Sequence, residues 1–140
     1  MKVKVGVGVL ILKEGKVLLG KRSSKQEQDK LKGAGTWTMP GGSLEFFEKI
    51  KECAIRETKE ETGLDLMNVD VFCVNEDFSN NNHFITIGFL CKEFKGEVQV
   101  KEPEKITEWK WFDLDDLPKP MYFPSQKVIN NYKQKKFFID

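Results

Sequence analysis

A chain of 140 residues is long enough for one domain with a real core and too short for two ordinary ones, so every motif is expected to serve one site. Its 23 Lys and Arg against 22 Asp and Glu leave a formal net charge of +1, without the broad positive field of nucleic-acid binders, so polymeric nucleic acid is not an expected partner. Cys53, Cys73 and Cys91 lack the paired spacing of a zinc site or a redox dithiol and read as reduced, buried thiols. The longest apolar run, Val5 to Leu12, is far below a membrane span and lacks a signal-peptide cleavage region, so a cytoplasmic protein without membrane attachment is expected.

The first stretch, "VKVGVGVLILKEGKVLLGKR", reads as two β-rich runs joined by a tight hairpin at Glu14 and Gly15. Gly6 and Gly8 leave room for something to approach the first run closely. The polar "SSKQEQDKLKGAG" has no periodicity and predicts a surface loop. In "TWTMPGGSLEF", Trp37 and Met39 share one face of a short strand that Pro40 and the glycine pair are expected to stop. A helix is predicted from about Phe47 to Thr62, with Gly63 at its C-cap. Two more β-rich runs, "LDLMNVDVFCVNED" and "HFITIGFLCKEF", flank the turn "FSNNN", and "EWKWFDL" predicts another short strand. "PSQKVINNYKQ" predicts a final helix, with Val128, Ile129 and Tyr132 at helical spacing. Strands on both sides of a central helix imply an α/β fold whose mixed sheet is covered on its faces.

On a helical wheel Ile50, Cys53, Ala54 and Leu64 form the apolar stripe of the central helix. Glu57 and Glu61 fall in the middle of that stripe, and Glu60 lies at its edge beside Arg56. Most helical glutamates are solvated surface groups. These three oppose the negative end of the helix dipole and repel one another, which a chain selected only for stability would avoid. A hard divalent cation removes the conflict, since Mg²⁺ takes one or two carboxylates together with water and substrate phosphates. The pattern therefore points to a metal site and a phosphate-bearing substrate.

The spacing from Gly42 to Glu48, and from Arg56, Glu57, Glu60 and Glu61 to Gly63 and Leu64, resembles the signature of the Nudix hydrolase family over about 23 positions. "GVGVLIL", "VLLGKR", "GTWTMPGGSLEF", "EPEKITEWKWFDLDDLPKP" and "MYFP" extend the resemblance, in its MutT-like branch, over most of the chain. The resemblance implies an α/β/α sandwich with the catalytic helix packed on a mixed sheet, and a Mg²⁺- or Mn²⁺-dependent hydrolase. Its expected reaction is cleavage of nucleoside triphosphates, including oxidised or modified purine deoxynucleotides, to the monophosphate and pyrophosphate. A sugar nucleotide or dinucleotide is the alternative substrate, and a non-enzymatic nucleotide sensor the alternative of a different class.

By the same resemblance Glu57 and Glu61 ligate metal, with Glu60 alongside and the Gly41 carbonyl completing the set. Glu48 is a further ligand or holds Arg56, whose planar fork suits a carboxylate. Glu60 or Glu61 takes the proton of the attacking water, or a loop carboxylate such as Glu104 does. Lys21 and Arg22, at a strand end, could face the triphosphate, and Trp37, Trp111 and Phe123 offer flat surfaces for a base. His83 reads as a loop residue. Two positions depart from the family pattern: Phe47 stands where many relatives have glycine, and Thr58, in place of a bulky aliphatic, is expected to bond its hydroxyl to the preceding turn. The tail "NYKQKKFFID" is the one stretch that invites subunit pairing, leaving a monomer or a homodimer.

Overall fold

The computed structural model describes residues 2–24, 34–79 and 81–140; most of the predicted loop, residues 25–33, lies outside them. The described elements are β1 (Val3–Lys13), β2 (Lys16–Arg22), β3 (Trp37–Thr38), β4 (Gly41–Ser43), α1 (Ile50–Thr62), β5 (Asp65–Ser79), β6 (Asn82–Lys95), β7 (Ile106–Asp113) and α2 (Phe123–Gln134). They build a mixed sheet of path β3-β2-β1-β6-β5, with β4 paired to β1 and β7 to β2. Strand β1 holds it together, lying parallel to β6 over Val3–Ile11 and antiparallel to both β2 and β4. No described helix is long and apolar enough to cross a membrane.

Alternation along β1 divides the core. Val7, Val9 and Ile11 face α1 and pack with Cys53, Ala54 and Leu64, while Leu10 and Leu12 face the other way and pack with Val128 and Ile129 of α2. A helix on each face makes the expected α/β/α sandwich, and all three cysteines are free and buried within it.

Glu14 and Gly15 form the predicted hairpin turn, both at positive φ. The strand of Trp37 does stop before Pro40, ending at Thr38 and leaving Met39 outside it, but the glycine pair then forms a strand of its own: Gly41 and Gly42 lie in β4, pairing with Gly8 and Val7. Gly6 and Gly8 permit this approach, because a Cβ at Gly6 would press on the Gly42 carbonyl at 3.1 Å and one at Gly8 on Met39 Sδ at 3.0 Å. The "FSNNN" turn is tighter than expected, since β5 runs on to Ser79 and β6 resumes at Asn82. His83 is therefore a strand residue, its ring 4.4 Å from that of Phe78.

Helix α1 begins at Ile50 rather than near Phe47, because Phe47 sits at φ +64 in a turn closed by Glu48 N–H donating to the Glu45 carbonyl. Lys49 is the N-cap, and its N–H reaches Glu52 Oε1 at 3.0 Å. Gly63, at φ +80, ends the helix by returning its N–H to the Lys59 carbonyl. The hydroxyl of Thr58 is buried without a partner instead of bonding back; the bond of that kind comes from Thr62, donating to the Thr58 carbonyl at 2.7 Å. Helix α2 starts one residue before the predicted proline, at Phe123.

Candidate active site

The β1–β4 pairing brings the glycine turn against the carboxyl half of α1. Glu61 Oε1 accepts a hydrogen bond from Gly41 N–H at 2.8 Å. The Glu57 carboxylate fills the space a side chain at Gly42 would need, since a Cβ there would overlap Glu57 Cδ and stand 2.6 Å from Oε1. Both acids lie partly buried under β4, where the wheel placed them.

Glu60 is more exposed and shares Arg56 Nη1 with Glu57, at 3.4 Å, and its charge acts on Glu57. The Arg56 fork is occupied: Nε and Nη2 donate to Glu48 at 2.6 and 3.0 Å, Nη1 to Glu57 at 3.0 Å, and Nη2 also to the Ser43 carbonyl at 3.2 Å. Of the two expectations for Glu48, the structure gives the second: it holds Arg56. The guanidinium bonds keep the Glu48 carboxyl down at about 2, well below the usual range.

The electrostatics of Glu61 are opposite. Burial pushes its carboxyl up to about 8; Gly41 N–H opposes the shift, and the negative charges of Glu57 and Glu102 add to it. Burial likewise raises Glu57, against the pull of Arg56. Lys105 favours both charges without an ion pair to either among those formed. Among the described residues no group of three or more His, Cys, Asp and Glu side chains stands ready to hold a metal ion. Two partly buried carboxylates, of which Glu61 has no ion pair among those formed, beside a cavity that Glu61 lines, nevertheless fit a hard divalent cation that retains much of its hydration.

Glu102 is a loop carboxylate whose charge acts on Glu61. The loop is fixed by Gln99 N–H donating to the Thr62 carbonyl and by Lys105 and Ile106 N–H both donating to that of Glu102. Glu104 is exposed on the same loop and has interactions of its own.

Glu61 also lines a cavity of about 340 Å³ on the α2 side of the sheet. Gly6, Gly8 and Gly41–Ser43 form one wall, Phe84 and Thr86 of β6 another, and Tyr122, Pro124, Ser125 and Val128 a third. Arg22 and Lys105 bring positive charge to its edge, the Arg22 guanidinium lying 4.1 Å from the Tyr122 ring centroid. Ser125 Oγ accepts Met39 N–H at 3.1 Å and lies 2.9 Å from Thr38 Oγ1, a hydroxyl pair in the same lining.

Of the expected substrate contacts, only Arg22 lines this cavity. Lys21, the next residue of β2, is exposed, as alternation requires. Trp37 is core, packed edge-on against Phe112 at 4.9 Å, and Trp111 stacks on Phe94 at 5.8 Å on the α1 side. Phe123 is exposed at the start of α2, and its neighbour Tyr122 lines the cavity instead. Phe84, Thr86 and Tyr122 went unnoticed in the sequence, although the "FIT" alternation opposite Gly6 carried a signal for the first two.

A model of the NUDIX domain family matches residues 2–132. The chain belongs to the Nudix family. It is 34% identical over 134 residues to a protein from Methanocaldococcus jannaschii named ADP-ribose pyrophosphatase, covering 94% of this chain and 74% of that one. It is 31% identical over 96 residues to a NAD-capped RNA hydrolase, NudC, of Pseudomonas aeruginosa, covering 68% of this chain and only 32% of that protein. Among solved structures, a MutT NUDIX hydrolase from Burkholderia pseudomallei superposes with a TM-score of 0.84 at 32% identity, covering 93% of this chain and 98% of that one. The chain is thus a Nudix hydrolase with the chemistry of a pyrophosphohydrolase.

Proposed function

We propose that this hydrolase cleaves nucleoside triphosphates to the monophosphate and pyrophosphate. One observation supports the reading above others: the cavity of about 340 Å³ is lined by aromatic and hydroxyl groups together with Glu61 and the glycine turn. It is of a size for one nucleoside, at the small end of ligand pockets. A base held between Phe84 and Tyr122 sends its phosphates toward the carboxylates, past Arg22 and Lys105.

A divalent cation, Mg²⁺ or Mn²⁺, held by Glu57, Glu61 and the Gly41 carbonyl, supplies water activation and charge neutralisation when bound. The residues themselves do the positioning. Gly41 N–H fixes one Glu61 oxygen, while Arg56, anchored by Glu48, fixes Glu57. Glu102, whose charge reaches Glu61, and Glu60, whose charge reaches Glu57, are the candidates to accept the proton of the attacking water. Arg22 and Lys105 stabilise the charge that gathers on the phosphoryl oxygens.

ADP-ribose is the second reading, favoured by the relative of that activity, whose similarity covers 94% of this chain. Incubation with Mg²⁺ and a panel of ordinary and oxidised nucleoside triphosphates, ADP-ribose, sugar nucleotides and capped RNA, with products identified, decides between them. Monophosphate and pyrophosphate from a triphosphate are expected. Turnover of ADP-ribose alone moves the assignment to the second reading, and no turnover of any member ends both.

A further inference from the structure

The hydroxyl pair in the cavity wall is wired in one direction. Thr38 and Ser125 both line the cavity and are only 9% and 4% exposed. Three contacts join them to the Met39 backbone: Met39 N–H donates to Ser125 Oγ at 3.1 Å, Thr38 Oγ1 donates to the Met39 carbonyl at 3.2 Å, and the two hydroxyl oxygens lie 2.9 Å apart. A hydroxyl has one hydrogen to give. Thr38 gives its own to Met39, so the hydrogen between the two oxygens comes from Ser125. With that assignment all three contacts are hydrogen bonds, and neither buried hydroxyl leaves its hydrogen unused.

The consequence for the cavity is a polarity. Each oxygen keeps one free lone pair and no free hydrogen, so the pair presents acceptors only. The sheet beside it has the same sign. Thr86 and Phe84 of the lining stand opposite Asn75 and Asp77 in the β5–β6 ladder, and side chains directly opposite share a face. Asn75 and Asp77 are 1% and 3% exposed, and among the described residues Asn75 Oδ1 and Asp77 Oδ2 have no hydrogen-bond partner. Lys127 Nζ serves only the other Asp77 oxygen, at 2.6 Å, and the Asn75 amide is spent on Asn131 Oδ1 at 2.9 Å. The charged donors of the lining, Arg22 and Lys105, are committed by the proposed function to phosphate oxygens.

We infer that Thr38 and Ser125 are specificity-determining residues: a paired acceptor that selects a base presenting an exocyclic amino group and disfavours one whose facing edge carries only acceptors. This rests on the proposed function, because it takes the occupant of the cavity to be the nucleoside. The discrimination has a physical source. An acceptor-only edge sets lone pair against lone pair at a buried wall and leaves both unpaired, whereas an amino N–H meeting either oxygen avoids that penalty. One such bond is worth about tenfold.

Two pairs of triphosphates isolate the group, ATP against purine riboside triphosphate and GTP against inosine triphosphate, each pair differing by one amino group. The wild-type enzyme is expected to favour the amino-bearing member about tenfold in kcat/KM in the pair whose amino group meets the wall. Thr38→Val keeps the side-chain shape but removes the oxygen that takes the Ser125 hydrogen, so the freed O–H turns into the cavity as a donor, and the ratio should fall to one or below. Ser125→Ala, which breaks the pair from the other side, should bring the ratio toward one. Thr38→Ser restores the wiring and should restore the ratio. Wild-type ratios near one in both pairs would overturn the inference, and this comparison needs no variant to fold. So would Thr38→Val and Ser125→Ala enzymes that lose activity on both members alike and keep the ratio, or a ratio lost in Thr38→Ser as well, which would mark a packing effect. Turnover of triphosphates without discrimination removes this inference alone; no turnover of any triphosphate removes the proposed function beneath it.

Discussion

Substituting Gly42 by alanine isolates the placement of a single carboxylate. The new methyl group would overlap Glu57 Cδ and lie 2.6 Å from Oε1, where ordinary contact begins at 3.4 Å. Backbone on both sides is held by the β1–β4 ladder, so Glu57 must retreat, by about 1 Å. Displacement of that size at a reacting centre costs about 10²-fold in rate, or about 2.7 kcal/mol of transition-state stabilisation. Stability should change by less than about 1 kcal/mol, because the obstructing group is the end of a flexible side chain. Gly41→Ala is the contrast: its Cβ would overlap the Val7 carbonyl, backbone that cannot step aside, so it should lose stability by about 1–3 kcal/mol and activity with it. The assay is kcat/KM at saturating Mg²⁺ alongside thermal melting of both variants. A Gly42→Ala enzyme with wild-type kcat/KM would refute the placement of Glu57 at the reaction centre.

Three further outcomes follow from the same geometry. Glu61 holds its proton more tightly folded, at about 8, than at the unfolded value of 4.5, so the metal-free protein should lose stability as pH rises through that window. Glu61→Gln should flatten the dependence and abolish most activity; an unchanged melting profile between pH 5 and 9 would contradict the burial of its charge. Lys127 pairs at 2.6 Å with the buried Asp77 and also donates to the Glu76 carbonyl, so Lys127→Ala should cost about 3 kcal/mol in urea unfolding, a loss Lys127→Arg avoids. Phe47→Gly should stabilise the fold by about 1 kcal/mol, read as a melting temperature higher by a few degrees; a fall would mean the turn needs its phenylalanine.

The sequence was most legible where one element carries the whole message. The wheel of α1 put Glu57 and Glu61 among Ile50, Cys53 and Ala54 because a helix has a fixed period, and in the fold those acids lie half-buried under β4. Gly6 and Gly8 announced a close approach, although not that the approaching chain was the glycine turn itself. Legibility failed where residues converge from separate elements. Tyr122 rather than Phe123 lines the cavity because the chain enters α2 there, Trp37 is buried in the core, and Trp111 packs partly buried against it. Glu102 and Glu104 cannot be told apart in "KEPEK"; in the fold the charge of Glu102 reaches Glu61 from a turn in which its carbonyl accepts two N–H groups. Phe47 broke a local rule in the sequence and breaks it still in the fold, which is where unexplained function is worth seeking.

The central claim is that a divalent cation binds between Glu57, Glu61 and the glycine turn. Titration of Mn²⁺ followed by its electron paramagnetic resonance signal tests this without reference to substrate. The wild-type protein should take up the ion, and Glu57→Gln and Glu61→Gln, each with the fold intact by circular dichroism, should take it up at least tenfold more weakly. Undiminished uptake by both variants, or none by the wild type, would contradict it.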